Sequence, residues 1–409
     1  MHTKTVKTAS PSSCGRRVGS PPRASTTAAG LIAAGVLATA LSTGSVAAQE
    51  TIKIGVSQPL TGAFAASGNY VAQGARIAED EINAAGGVLG KKIQLVIEDN
   101  KSNPTEAVAT VEKLIVRDKV PVIMGAWSST LTLAVMPKMQ EYKVPLVVET
   151  SSSGKITTAG NPYVFRISPT SEMEAMSFRP LVAKLGIKKA DFLNTNNDFG
   201  IGSATEFAKM LKAEGVQVGV LETMDPKAND FSAQLTRIKA SGGDTLFVTT
   251  AVEQNTLILK QAKELQLKAR IVTTGGSNSP DQLVTQAGDA ANGSYHTVFF
   301  PPWFPDVVKN PDAAKRYMAE WKKRGHEPGG LTEGFRGYDG IFTAVEAIKV
   351  AGKAEPAAIK DALWKVKVPG VYGDIAFIKQ GPAGSESGQN QPTVYLVKID
   401  GGKVVKPEF

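Results

Sequence analysis

The alternation of two hydrophobic periods along this chain leaves few folds open to it. In "TIKIGV" the apolar residues Ile52, Ile54 and Val56 recur at every second position, as on a strand. Val71, Ala75, Ala78 and Ile82 then recur at helical spacing, and "GGVLGKKIQLVIED" returns to the strand period. Asn103, Pro104 and Glu106 mark a helix start: a cap, a proline in the first turn and a carboxylate able to reach back. Ala107, Val108, Val111, Leu114 and Ile115 form the face behind it. Further apolar runs at 120–124, 145–148, 191–194, 216–221, 245–249 and 271–273 are separated by helical segments. Such a βαβα chain implies parallel sheets covered by helices. About ten strands are many for one sheet of this kind, so the expected fold class is α/β, with two open doubly wound lobes. The polar "RISPTSEMEA" (166–175) and the proline-rich "FFPPWFP" (299–305) suit crossings between lobes. Helical segments at 311–324 and 335–350 would rejoin the first lobe, and "VYLVKIDGGKVV" reads as a hairpin around Asp400, Gly401 and Gly402.

The first 48 residues differ from the rest. They carry Lys4, Lys7, Arg16, Arg17 and Arg23 without an acid, then a weakly apolar run from Ala28 to Leu41 and small residues at Val46 and Ala48. This predicts a secretory signal over 1–48, cut before Gln49. Cys14 is the single cysteine and precedes the apolar run, so the expected mature chain has no lipid anchor, disulfide framework or thiolate chemistry. The formal charge of +8 falls to +3 once the five leader bases are removed (41 bases against 38 acids), and no basic tract with interleaved aromatics remains for nucleic acid.

Two apolar runs end in hydroxyl residues: "GAWSSTLTLAV" (125–135) and "PLVVETSSSGKIT" (145–157). In open parallel sheets, ligands sit beyond the carboxyl ends of the strands. Ser128 or Ser129 would start the helix near Leu131, where unpaired N–H groups and the helix dipole suit a carboxylate. Ser151, Ser152 and Ser153 could add donors. Helix capping alone is the competing role for these serines. A nucleophile is disfavoured, because there is no G-x-S-x-G elbow and the histidines beyond the leader, His296 and His326, sit in no motif. Neither a metal-ligand spacing nor a phosphate loop occurs, so no catalytic residue, metal or cofactor is expected.

From Ile52 onward the chain resembles the type I periplasmic binding proteins of ABC importers, the branched-chain amino acid (Leu/Ile/Val) binding group. The resemblance is carried in order by "IGVSQPLTGAFAASGNYVAQGARIAEDEINAAGGVLGKKIQLVIEDNKSNPTEAV", "GAWSSTLTLAVMPKMQEYKVPLV", "NDFGIG", "NDFSAQLTRIKASGGD" and "GYDGIFTAVEAI". It implies two α/β lobes joined by a three-segment hinge, here 49–170 plus 299–380 and 171–298 plus 381–409. It also implies a periplasmic location, lobe closure on a solute, and delivery to the permease and ATPase subunits of an importer, with a monomer as the default state. By the same resemblance Ser129 holds a ligand carboxylate, Ser151 and Ser153 add contacts, and Phe199 packs at the cleft. An early cleft aromatic of some relatives corresponds to Ser67. The loop "TTGGSNSP" normally brings an acid to a ligand ammonium; here Gly275 and Gly276 stand in its place.

A buried ammonium without a counter-charge is costly. Glu253, which follows the run at 245–249, is the candidate substitute, with Glu149 and Asp198 as further acids near the clusters. If none enters the cleft, an aromatic or aliphatic carboxylate becomes the better fit, with Trp127 and Phe199 as walls. The resulting expectation is a binding protein for a small carboxylate-bearing solute, an amino acid first. The alternative is a ligand-sensing domain of a signalling system.

Overall fold

The strand-period runs form strands, and those at the centre of each sheet are buried on both faces, which is what parallel sheets covered by helices require. The computed structural model describes residues 50–409; the secretion signal expected over 1–48, with Cys14 and the Arg16–Arg17 pair, lies outside the described residues. The chain first lays down β1 (Ile52–Gln58), β2 (Ile93–Asp99), β3 (Ile123–Gly125), β4 (Leu146–Val148) and β5 (Val164–Arg166), all parallel. It then builds a second parallel set, β6 (Lys189–Thr195), β7 (Gln217–Met224), β8 (Thr245–Thr249), β9 (Arg270–Thr274) and β10 (Tyr295–Val298). The remaining strands are β11 (Val368–Gly370), β12 (Gly373–Ile375), β13 (Ile378–Gln380), β14 (Ser387–Gln389), β15 (Tyr395–Asp400) and β16 (Lys403–Val405).

The two seven-stranded sheets have the orders β13-β14-β5-β4-β3-β1-β2 and β16-β15-β10-β9-β8-β6-β7. In both, the second strand lies on one side of the first and the third on the other. That reversal opens a crevice at the carboxyl ends of β1 and β3, and again of β6 and β8. A hairpin from late in the chain completes each sheet, with β14 on β5 and β15 on β10.

The chain therefore passes between sheets after β5, after β10 and after β14. The last passage corrects the boundary expected at 380/381. Gly388 and Gln389 pair with Phe165 and Arg166, so the first sheet keeps the chain through β14. A three-residue strand has too few positions to show a period, which hid it from the sequence.

The helix start at Asn103 forms as expected: its side chain accepts from the N–H groups of Thr105 and Glu106. The Glu106 carboxylate pairs with Lys101 (3.2 Å) instead of reaching back to the cap. Helix Ala65–Ala84 buries Val71, Ala75, Ala78 and Ile82 against helix Leu331–Ala351, the largest helix contact of the first lobe. The two backbones touch at glycines: a Cβ on Gly74 would lie 1.7 Å from the Gly334 carbonyl oxygen, and one on Gly337 1.9 Å from that of Val71. This close crossing carries the start of helix Leu331–Ala351, with Glu333 and Arg336, under the space between the sheets.

Candidate functional site

At the tip of β3 the chain turns sharply. Trp127 has φ +67°, a conformation costly for a bulky residue and held only when its surroundings over-determine it. A chain of hydroxyls does so here. The Ala126 N–H donates to Thr132 Oγ1 (3.3 Å), Thr132 Oγ1 lies 2.7 Å from Ser151 Oγ, and Ser151 Oγ donates to the Trp127 carbonyl (2.8 Å). The indole packs on Phe64, with centroids 4.9 Å apart and the rings tilted by 33°, and its Nε1 donates to Glu333 Oε2 (3.4 Å).

The following helix spans Ser129–Tyr142, two residues earlier than its apolar face suggests. Ser128 stands at the N-cap position with extended backbone, yet its hydroxyl makes no capping bond. The first-turn N–H groups thus gain no partner from the cap side chain. Ser129 Oγ accepts from the Ser153 N–H (3.2 Å), which leaves its own proton free to be donated. The loop that supplies this N–H is clamped from behind by Arg166, at the end of β5. Its Nη1 donates to the carbonyls of Ser151 (3.2 Å) and Ser153 (2.6 Å), its Nη2 to Thr157 and its Nε to Gln389. Arg166 is fully buried, and among the described residues it pairs with no carboxylate; burial pushes its guanidinium down to about 9.

The second lobe supplies the facing wall from the tips of β6, β8 and β9. The resulting cleft has about 360 Å³ of atom-free space, part of it open to solvent. Phe64, Trp127, Ser128, Ser129, Thr150 and Ser151 line it from the first lobe, and Thr195, Asn197, Phe199, Ala251, Gly275 and Ser277 from the second. None of these side chains is charged. Asn197 also caps helix Asp198–Ala213 through the Gly200 N–H (2.9 Å).

Contacts close the cleft on two sides. At the rim, Asp198 accepts from Thr130 Oγ1 (2.9 Å) and Lys155 Nζ (3.2 Å). At the back, Arg336 Nη2 donates to the Gly276 carbonyl (2.7 Å).

Of the residues singled out in the sequence, Trp127, Ser128, Ser129, Ser151, Phe199 and Gly275 meet in this cleft. Ser153 takes part through its backbone N–H. Ser67, Ser152, Glu253 and Gly276 do not line it. Ser67 is buried within its helix with an unpartnered hydroxyl. Ser152 turns toward Ser171, 3.3 Å away, at the first crossing, and Gly276 contributes only its carbonyl, to Arg336. Glu253 is half-buried in the first turn of helix Val252–Glu264, with Oε2 unpartnered. Burial, with Glu333 as a like-charged neighbour, pushes its carboxyl up to about 7.

The other candidate acids are also engaged elsewhere. Glu149 accepts from Gln58 Nε2 (2.8 Å) and is pushed up to about 7 by burial; Asp198 sits at the rim. Phe64, Thr150, Thr195, Asn197, Ala251 and Ser277 were not anticipated. Thr195 and Asn197 follow a strand end in "LNTNNDFG", so the strand-tip rule that finds the two serine clusters could have found them.

Residues 51–403 match the family model described as periplasmic binding protein. The leucine-, isoleucine-, valine-, threonine-, and alanine-binding protein of Pseudomonas aeruginosa is 28% identical over 335 residues, covering 82% of this chain and 87% of that one. Among solved structures, a leucine-binding protein from Thermotoga maritima superimposes with a TM-score of 0.77 at 27% identity, over 88% of this chain and 98% of that one. A solute-binding protein of an ABC transporter from Rhodopseudomonas palustris, in complex with 3,4-dihydroxybenzoic acid, gives a TM-score of 0.75 at 28% identity, over 88% and 96%.

Proposed function

The chain belongs to the periplasmic binding protein family, and we propose that it is the substrate-binding component of an ABC importer, capturing a small carboxylate-bearing solute by lobe closure and delivering it to a membrane permease and its ATPase. The carrying observation is the Ser129 hydroxyl. It accepts from the Ser153 N–H and keeps its proton for a ligand, at a helix start that the Ser128 side chain leaves uncapped. Neutral donors at a helix N-terminus are suited to a carboxylate, which they can bind without a paired base. The names of the similar proteins agree at this level, since leucine and 3,4-dihydroxybenzoic acid share a carboxylate and little else.

In this reading Ser128 and Ser129 take the carboxylate, and Ser151 fixes the Trp127 turn. Phe64, Trp127 and Phe199 contact the ligand body, while Thr195, Asn197 and Ser277 reach it from the second lobe. The two sheets with their helices are the moving bodies, and the crossings after β5, β10 and β14 are the hinges. The leader over 1–48 directs export, and the protein works as a periplasmic monomer. Capture and release require no covalent step.

A thermal-shift panel of α-amino acids, hydroxybenzoates and aliphatic acids tests this. At least one carboxylate should raise the melting temperature in a concentration-dependent way, by mass action. The corresponding methyl ester should not. Equal stabilisation by the ester, or none by any carboxylate, would overturn the proposal.

A further inference from the structure

Gly275 lies just past β9, at φ +90°, where the backbone enters the cleft wall. A Cβ placed on it would come within 2.3 Å of Phe199 Cζ and 2.5 Å of Cε2. The aromatic ring therefore fills the volume that any side chain at 275 would need. The loop cannot withdraw from the ring, because it is held on both sides. The Gly275 N–H donates to Glu174 Oε1 (2.7 Å), which also accepts from the Thr297 hydroxyl, and the next carbonyl is held by Arg336.

We propose that Phe199 and Gly275 together set the ligand class: a carboxylate on a flat aromatic body that carries no ammonium, lying between Phe199 and the Phe64–Trp127 wall. This rests on the carboxylate-capture reading above. An ammonium in this cleft would meet an aromatic ring and neutral hydroxyls, with no carboxylate side chain among the lining residues. Losing its hydration there without a counter-charge is unfavourable. A planar ring loses nothing of the kind and gains face and edge contacts with three aromatic side chains.

Titration calorimetry with 4-hydroxybenzoate, L-leucine and 4-methylpentanoate (leucine without its amino group) separates the alternatives. The intact protein should bind 4-hydroxybenzoate most tightly, and 4-methylpentanoate more tightly than L-leucine. Phe199→Leu, which keeps bulk and so spares the fold, should weaken 4-hydroxybenzoate about tenfold and leave 4-methylpentanoate nearly unchanged. Removing the ring while adding an acid, in Phe199→Ala with Gly275→Asp, should narrow the gap between L-leucine and 4-methylpentanoate, aspartate being among the residues that tolerate positive φ. Tighter binding of L-leucine than of 4-methylpentanoate by the intact protein would overturn this inference and leave carboxylate capture standing. An unchanged 4-hydroxybenzoate affinity in a folded Phe199→Leu would do the same. Binding of none of the three acids would likewise overturn this inference, whereas carboxylate capture falls only if no acid of the wider thermal-shift panel binds.

Discussion

Ser129 and Ser151 show how two similar side chains take different tasks from their hydrogen-bond partners. Ser151 directs its proton to the Trp127 carbonyl, so it shapes the turn, whereas Ser129 only accepts, so its proton remains for a ligand. Ser129→Ala should therefore weaken carboxylate binding about 10- to 100-fold, the range for losing a hydrogen bond to a charged group. The melting temperature of the free protein should change little; calorimetry and a thermal melt on the same variant check both. Ser129 was legible in the sequence because a hydroxyl just past a buried strand has few places to point. Ser152 looked equivalent, but its hydroxyl meets Ser171 on the crossing segment, a partner that local spacing does not reveal. Glu253 stays outside the cleft lining for a related reason. An acid in the first turn of a helix is ordinarily solvated, but this one is half-buried with Glu333, distant in sequence, as a like-charged neighbour. Arg166 carried no signal at all, since its Gln389 partner lies far along the chain.

At the scale of elements, the helix pair Ala65–Ala84 and Leu331–Ala351 has the least tolerance. Gly337→Ala would drive a methyl to within 1.9 Å of the Val71 carbonyl oxygen, where neither backbone can yield without displacing its helix. Overpacking of this kind costs about 1–3 kcal/mol and occasionally more. Denaturant melts should show a lower midpoint at an unchanged slope, and weaker ligand binding should follow, because Glu333 and Arg336 ride on the same helix. The long elements were legible: strand Thr245–Thr249 falls at its expected bounds, and helix Pro311–Lys323 ends one residue short of the reading. Helix Leu331–Ala351 begins before its expected start at Phe335, since Thr332, Glu333 and Gly334 are polar or small and add nothing to the apolar face. They are buried, since this end faces the second lobe rather than water. Among the strands of three or four residues, β5, β10 and β11 to β14 showed no period, and their pairing partners make them strands, whereas β3 and β4 stood out as apolar runs.

For the whole molecule, the buried carboxyls of Glu149, Glu174, Glu253 and Asp339, each pushed up to about 7 by burial, set the response to pH. In the unfolded chain these groups titrate near their ordinary values. The folded state therefore binds more protons between about 4.5 and 7, and this contribution to stability is full at the lower end and lost as pH rises through the upper. His296 works the other way. Burial pushes its imidazole down to about 3, so it opposes folding progressively below its ordinary value of 6.5. Four carboxyls outweigh one imidazole, and the ligand-free protein should melt at a higher temperature at pH 6 than at pH 8.5. Glu149→Gln should flatten that dependence; an unchanged slope in scanning calorimetry would remove Glu149 from the account.

The threefold passage of the chain between the sheets has a consequence for recombination. The first sheet is finished only by β13 and β14, contributed after the chain has already built β6 to β10 in the other. No single cut frees either lobe intact, and a fragment ending before Ile378 would leave β5 with a bare edge, open to pairing with another copy. A chimera that exchanges a lobe between relatives must move non-adjacent stretches of gene together, whereas grafting the short segments beyond the strand ends retunes the cleft and leaves both sheets closed.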